Sequence, residues 1–189
     1  RRSAARAATL PFAASESGGR PARRRGLAHS LPVGGTRGEI VERDRELAEI
    51  AAAIDAARAG AGGVAVVEAA AGLGKTRLLQ AARDRAHGAG MAVLAARGSE
   101  LERGFPFGVA RQLLEPPLAA LDARERERLL AGAAAAARGA LGLDRDGRAA
   151  DADDSFAVLH GLYWLVAGLA ERGPLLLVVD DAHWADSAS

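Results

Sequence analysis

Val64-Ala65-Val66-Val67-Glu68-Ala69-Ala70-Ala71-Gly72-Leu73-Gly74-Lys75-Thr76-Arg77-Leu78-Leu79 is the stretch on which the reading of this chain turns. A β-branched apolar run enters a loop of small residues, and the loop delivers Gly72, Gly74, Lys75 and Thr76 to the start of an amphipathic helix. That order is the setting of a phosphate-binding, or Walker A, loop spanning residues 69–76. Backbone N–H groups of the loop and of the first helical turn converge on a phosphate, and the helix dipole there favours negative charge. The cradle expected to hold a nucleotide is therefore Ala69, Ala70, Ala71, Gly72, Leu73, Gly74, Lys75, Thr76 and Arg77. Lys75 is expected to reach the β and γ phosphates of ATP, and the Thr76 hydroxyl to ligate Mg²⁺. Ala69 stands where the pattern carries a glycine.

Lys75 is the only lysine in a chain that uses arginine everywhere else. A compact ammonium on a flexible stem suits a phosphate cradle in a way that arginine's planar fork does not. The exception falls where phosphate chemistry needs it.

Working outward, Leu47, Ile50, Ala51, Ile54 and Ala57 form the apolar face of a helix that Asp44 is placed to cap. After the loop, a helix from Lys75 to about His87 presents Leu78, Leu79, Ala82 and Ala86, and glycines stop it. Met91–Ala96 reads as a second buried strand, so strand, helix and strand make a βαβ unit and a parallel sheet. A short helix closed by Pro116-Pro117 follows. Asp122 and Glu125 form a capping-box-like pair ahead of an arginine-rich helix that runs into Ala133–Ala137. Residues 143–154 read as an exposed loop.

The next helix, capped by Asp154 or Ser155, has no formal charge from Phe156 to Ala170. Phe156, Leu159, Leu162, Tyr163, Val166 and Leu169 are expected inward, with most of its circumference buried. Gly173-Pro174 ends it. The strand Leu175–Val179 then delivers Asp180 and Asp181 at its C-terminal edge, a second acidic motif at residues 175–181 of Walker B type. Thr76 and Asp180 are the expected Mg²⁺ ligands. Lys75 and Asp181 are the expected catalytic residues, Asp181 orienting or activating the attacking water. His183 and Trp184 are read as packing or hydrogen-bonding residues, since no second histidine lies at metal-ligand spacing.

Composition excludes several classes. The 189 residues contain no cysteine, which rules out a disulfide scaffold and a thiolate metal site. No apolar run approaches the eighteen or so residues a membrane span needs, and a cytoplasmic location is expected. The net charge of +1 hides an asymmetry: residues 1–38 carry eight arginines against Glu16 alone. Rich in Arg, Gly and Pro and poor in large apolar groups, residues 1–38 are expected to be disordered, with the ordered domain at 39–189. Arg1 in first position and Met91 as sole methionine make the chain read as a piece of a longer product.

Five phrases carry a family resemblance: V-E-R-D-R-E-L-A-E-I (41–50), A-A-A-G-L-G-K-T-R-L-L (69–79), S-E-L-E-R-G-F-P-F-G-V-A-R-Q-L-L-E-P (99–116), F-A-V-L-H-G-L-Y-W-L (156–165) and L-L-L-V-V-D-D-A-H-W-A-D (175–186). They closely resemble the ATPase module of large LuxR-family transcriptional regulators, members of the STAND class of P-loop ATPases. The resemblance runs from about Glu39 to Ser189. It implies an α/β P-loop NTPase fold, a parallel sheet flanked by helices, here C-terminally truncated. It also implies an ATP- and Mg²⁺-dependent switch with slow hydrolysis, and puts Val41 and Arg43 near the adenine, with Glu42 where the family often carries glycine. In this class a later strand inserts between the phosphate-loop strand and the Asp180 strand. DNA would be reached only through a C-terminal helix-turn-helix absent from this chain, and self-association would belong to the full-length protein. Two other readings stay open: the same module serving a nucleotide cyclase or kinase signalling protein, and an inactive truncated fragment.

Overall fold

The computed structural model describes residues 6–11, 43–143 and 155–189. Its elements in order are β1 (Arg6–Pro11), α1 (Asp44–Arg58), β2 (Gly63–Glu68), α2 (Lys75–Gly88), β3 (Ala92–Arg97), α3 (Gly108–Ala119), α4 (Ala123–Leu129), α5 (Ser155–Ala170) and β4 (Leu175–Asp180), with short 3₁₀ turns at Glu100–Glu102, Gly132–Ala137 and Ala182–Trp184. No helix among the described residues is long and apolar enough to cross a membrane. They fall into two compact units: the part up to Val93 with Pro174–Leu176, and Leu94–Gly173 with Leu177–Ser189.

The first unit is built on the apolar stripes of α1 and α2. Ile50 and Ile54 pack with Leu78, Ala82, Ala86 and Met91, and Leu47, Ala57, Val67, Val93 and Leu176 close around them. The three-and-four spacing of those residues is what brings the two helices together. Asp44 does not cap α1. The cap position is Arg43, with no side-chain cap bond, and Asp44 begins the helix, adding negative charge to its first turn together with Glu46.

Strand pairing departs from the βαβ expectation. β2 pairs antiparallel with β1, in a register running from Arg6↔Glu68 to Pro11↔Gly63. β3 pairs instead with β4. That second pair is parallel: the Ala92 N–H donates to the Pro174 carbonyl at 3.0 Å and the Gly98 N–H to the Asp180 carbonyl at 2.9 Å, the same offset at both ends. A short apolar run fixes an extended backbone but not the neighbour its hydrogen bonds go to. Val64 and Val66 accordingly lie 54% and 44% exposed, against the buried strand expected for them. Within the segment 1–38 expected to be disordered, Arg6–Pro11 are β1, and the rest of it lies outside the described residues.

In the second unit Asp122 caps α4 as expected, its side chain accepting from the Glu125 N–H at 2.8 Å. The helix does not continue into the alanines. It stops at Leu129, Gly132 turns the chain with φ 60°, and Gly132–Ala137 form a 3₁₀ segment. α5 lies on that segment so closely that a Cβ on Gly161 would sit 2.6 Å from the Ala137 nitrogen. α3 runs through Pro116 and Pro117 to Ala119 rather than ending before them.

The inward face of α5 agrees with expectation at Leu169, with Leu162 and Val166 half-buried, and differs elsewhere. Val158, Leu165 and Leu169 are buried, whereas Phe156, Leu159, Tyr163 and Trp164 are exposed. A helix that is apolar all round carries no sequence signal for which side turns in; contact with the alanine segment decides it.

Candidate functional site

The residues picked out by sequence occur in both units. In the first, β2 ends at Glu68 and the loop that follows turns twice through the left-handed region, at Gly72 (φ 78°) and Gly74 (φ 80°). A Cβ would meet nothing within 4 Å at either glycine, so glycine is needed there for its backbone angle rather than for space. Gly74 is the cap of α2, which begins at Lys75. Lys75 and Thr76 therefore occupy the first turn, where backbone N–H groups have no helical acceptor. No acidic residue stands in that turn to compete for an anion.

The lysine is turned back onto its own loop. Its Nζ donates to the Ala69 carbonyl at 2.7 Å and to the Ala70 carbonyl at 3.2 Å. Arg43, ahead of α1, donates from one guanidinium nitrogen to Glu46 Oε1 at 2.8 Å and from the other to the Leu73 carbonyl at 3.0 Å. Arg77 is exposed beside the loop. Val41 lies outside the described residues.

In the second unit the ends of β3 and β4 carry the paired carboxylates Asp180 and Asp181. Parallel pairing brings their C-terminal residues to one edge, so Arg97 and Asp181 meet there. Asp181 is held in the left-handed region (φ 50°, ψ 42°), an uncommon conformation for a residue with a Cβ. Its Oδ2 accepts from Arg97 Nε at 3.0 Å and from a terminal Arg97 nitrogen at 2.8 Å. Gln112 on α3 fixes the base of that arginine: it accepts from the Arg97 N–H at 3.0 Å, donates to the Arg97 carbonyl at 3.2 Å and also donates to Glu102 at 3.1 Å. Asp180 Oδ1 accepts from the Asp181 N–H at 3.0 Å. Gly98 lets the strand ends close, since a Cβ there would overlap the Asp181 carbonyl oxygen and press on the Ala185 nitrogen at 3.0 Å. A shallow depression of about 570 Å³ opens beside these groups, bounded by Arg97, Ser99, Glu102, Gln112, Asp181 and Trp184.

His183 is exposed and tilted against Trp184, ring centroids 4.9 Å apart, while the Arg103 guanidinium lies 5.1 Å over the Trp184 ring. Asp186, at the end of the same acidic phrase, is 7% exposed and ties it to α3. Its Oδ1 accepts from the Phe107 N–H and the Ser189 N–H, both at 2.8 Å. Phe107 is the left-handed cap residue of α3 (φ 60°), so a carboxylate sits at that helix's positive end. The motif phrases at 104–108 and 180–186 are thus two sides of one contact.

Burial alone raises the Asp186 pKa, but hydrogen bonds from Ser189, Phe107 and Val109 outweigh it and hold the carboxyl below its ordinary range. A depressed folded-state pKa contributes stability that is complete above the unfolded pKa of about 4 and is lost as pH falls through the folded value. Asp186→Asn is therefore expected to cost about 1–3 kcal/mol at pH 7 and to flatten the loss of stability on acidification below about pH 4. Urea titrations of both proteins at several pH values check this; equal acid slopes would contradict it.

The loop, with two left-handed glycines at a helix start free of acidic residues, has the geometry of a phosphate cradle. The family model for the AAA ATPase domain matches residues 39–189. This chain belongs to the AAA ATPase domain family. No curated protein and no solved structure matches it. AAA ATPase domains bind ATP, typically with Mg²⁺, and the chemistry of this loop fits that ligand. Arg97, Gln112 and Asp186 of this AAA ATPase domain were not found by sequence reasoning. The one signal in the sequence was that Arg97 ends the apolar run read as a strand.

Proposed function

We propose that this AAA ATPase domain is the nucleotide switch of a LuxR-type transcriptional regulator of the STAND class, with residues 39–189 forming its ATP-binding part. The observation that carries the reading is the Ala69–Thr76 loop, whose left-handed Gly72 and Gly74 deliver Lys75 to the first turn of α2. Backbone N–H groups of residues 69–74 and the first turn of α2 cradle the phosphates. Lys75 exchanges its two loop carbonyls for phosphate oxygens, a stronger, charge-assisted pairing. Arg77 adds positive charge beside them, and the resemblance puts Val41 near the adenine.

Thr76 and Asp180 are the residues that would hold Mg²⁺, which would offset the negative charge of the nucleotide phosphates. Asp181 accepts a hydrogen bond from the attacking water and, with Arg97 holding its other contacts, keeps a fixed direction.

The regulatory output is tested by sequencing the reading frame beyond Ser189. A frame that continues to a helix-turn-helix is expected. A frame that leads into a cyclase or kinase catalytic domain would instead make this the ATPase module of another signalling protein, and an early stop would leave an inactive fragment.

A further inference from the structure

Arg43 is poorly placed to be only a base contact, because both arms of its fork are engaged. One arm meets Glu46 and the other the Leu73 carbonyl, which lies thirty residues away in sequence between the two left-handed glycines. The Arg43 and Glu46 side chains are 19% and 12% exposed, so the pair is largely shielded from water. Glu46 is itself fixed on α1, whose Ile50 and Ile54 are in the core shared with α2. The guanidinium is thus anchored to the helix layer and reaches out to one peptide of the loop.

That peptide has a particular liability. In a planar trans peptide the carbonyl of Leu73 and the N–H of Gly74 point in opposite directions. With glycine on its C-terminal side, the unit can rotate between orientations at little cost. One orientation turns the Gly74 N–H to the hollow of the loop; the reversed one would put a carbonyl oxygen there, facing a phosphate. A charged donor bonded to the Leu73 carbonyl, as Arg43 is, keeps that oxygen from swinging into the hollow and so favours the first.

We infer that Arg43 is a positioning residue that locks the Leu73–Gly74 peptide with its N–H toward the bound phosphates, and that Glu46 holds Arg43 in place for that task. The inference rests on the phosphate-loop reading above. It assigns Arg43 to recognition of the polyphosphate common to all nucleoside triphosphates, not to selection of adenine. Consistent with the pairing, the hydrogen bond from Arg43 holds the Glu46 carboxyl below its ordinary pKa.

The test measures binding of ATP, GTP and inorganic tripolyphosphate, each with Mg²⁺, to the full chain and to Arg43→Gln, Arg43→Lys and Glu46→Gln, with far-UV circular dichroism as the check on folding. Arg43→Gln is expected to weaken all three ligands by the same factor, about tenfold, leaving their ratios unchanged. Arg43→Lys, which keeps the charge and one direction of donation, should recover part of the loss for all three. Glu46→Gln should weaken all three by a smaller common factor. A folded Arg43→Gln protein that loses ATP affinity but keeps tripolyphosphate affinity would overturn the inference in favour of a base contact. Unchanged affinity for all three would also overturn it, reducing Arg43 to a structural role. If Arg43→Gln does not fold, the outcome rests on Arg43→Lys: a common loss across the three ligands supports the lock, and no loss, or a loss for ATP alone, refutes it. A parent chain that binds none of the three removes the phosphate-loop reading itself, and the inference with it.

Discussion

With Asp181 replaced by asparagine, ATP hydrolysis is expected to fall about 100-fold or more, while Mg²⁺–ATP affinity stays within about twofold of the parent. Asparagine keeps the size of the side chain and one oxygen for the Arg97 fork, which now donates from two nitrogens to Asp181 Oδ2. It cannot take a proton from water. The left-handed backbone at Asp181 is also tolerated by asparagine better than by most residues. The substitution therefore removes the proposed water-activating group and spares the scaffold. Single-turnover hydrolysis of bound ATP is the measurement. A rate that is unchanged would transfer the water-activating role to another group, and a loss of affinity as large as the loss of rate would make Asp181 a binding residue instead.

The parts of this molecule that sequence revealed are those that local physics determines. The α1 and α2 faces followed from residues spaced three and four apart, and Ile50, Ile54, Leu78, Ala82 and Ala86 are indeed buried. The loop could be read because glycine at positions 72 and 74 has a backbone reason. The Asp122 cap could be read because a carboxylate three residues before a backbone donor is a local device.

What sequence did not reveal depends on partners distant along the chain. Nothing in Val64–Val67 says that β1 will be its neighbour, and nothing in the uncharged α5 says that Leu165 turns inward while Tyr163 stays out. Arg43 read as a residue near the base because a pattern put it there; its bond to the Leu73 carbonyl is visible only once α1 and the loop are folded together. Arg97 and Asp186 were passed over for a similar reason. Each is one of many charged residues until pairing of β3 with β4, or the turn into α3, gives it a carboxylate or an N–H to meet.

The other large effect concerns Lys75. In the protein alone its ammonium is satisfied by the Ala69 and Ala70 carbonyls, so it costs the fold little to keep and little to remove. It is the only lysine in the chain, and in the function proposed above its ammonium reaches the β and γ phosphates. Lys75→Ala should thus leave the circular dichroism spectrum unchanged and weaken ATP binding by about 100-fold or more, the loss of a charge-assisted pairing with a polyphosphate. The most direct test of the account is a calorimetric titration of Mg²⁺–ATP into the parent chain and into Lys75→Ala. Saturable binding at one site in the parent that disappears in the folded variant is the predicted result; equal binding by both, or none by either, would contradict the claim that this loop holds the nucleotide.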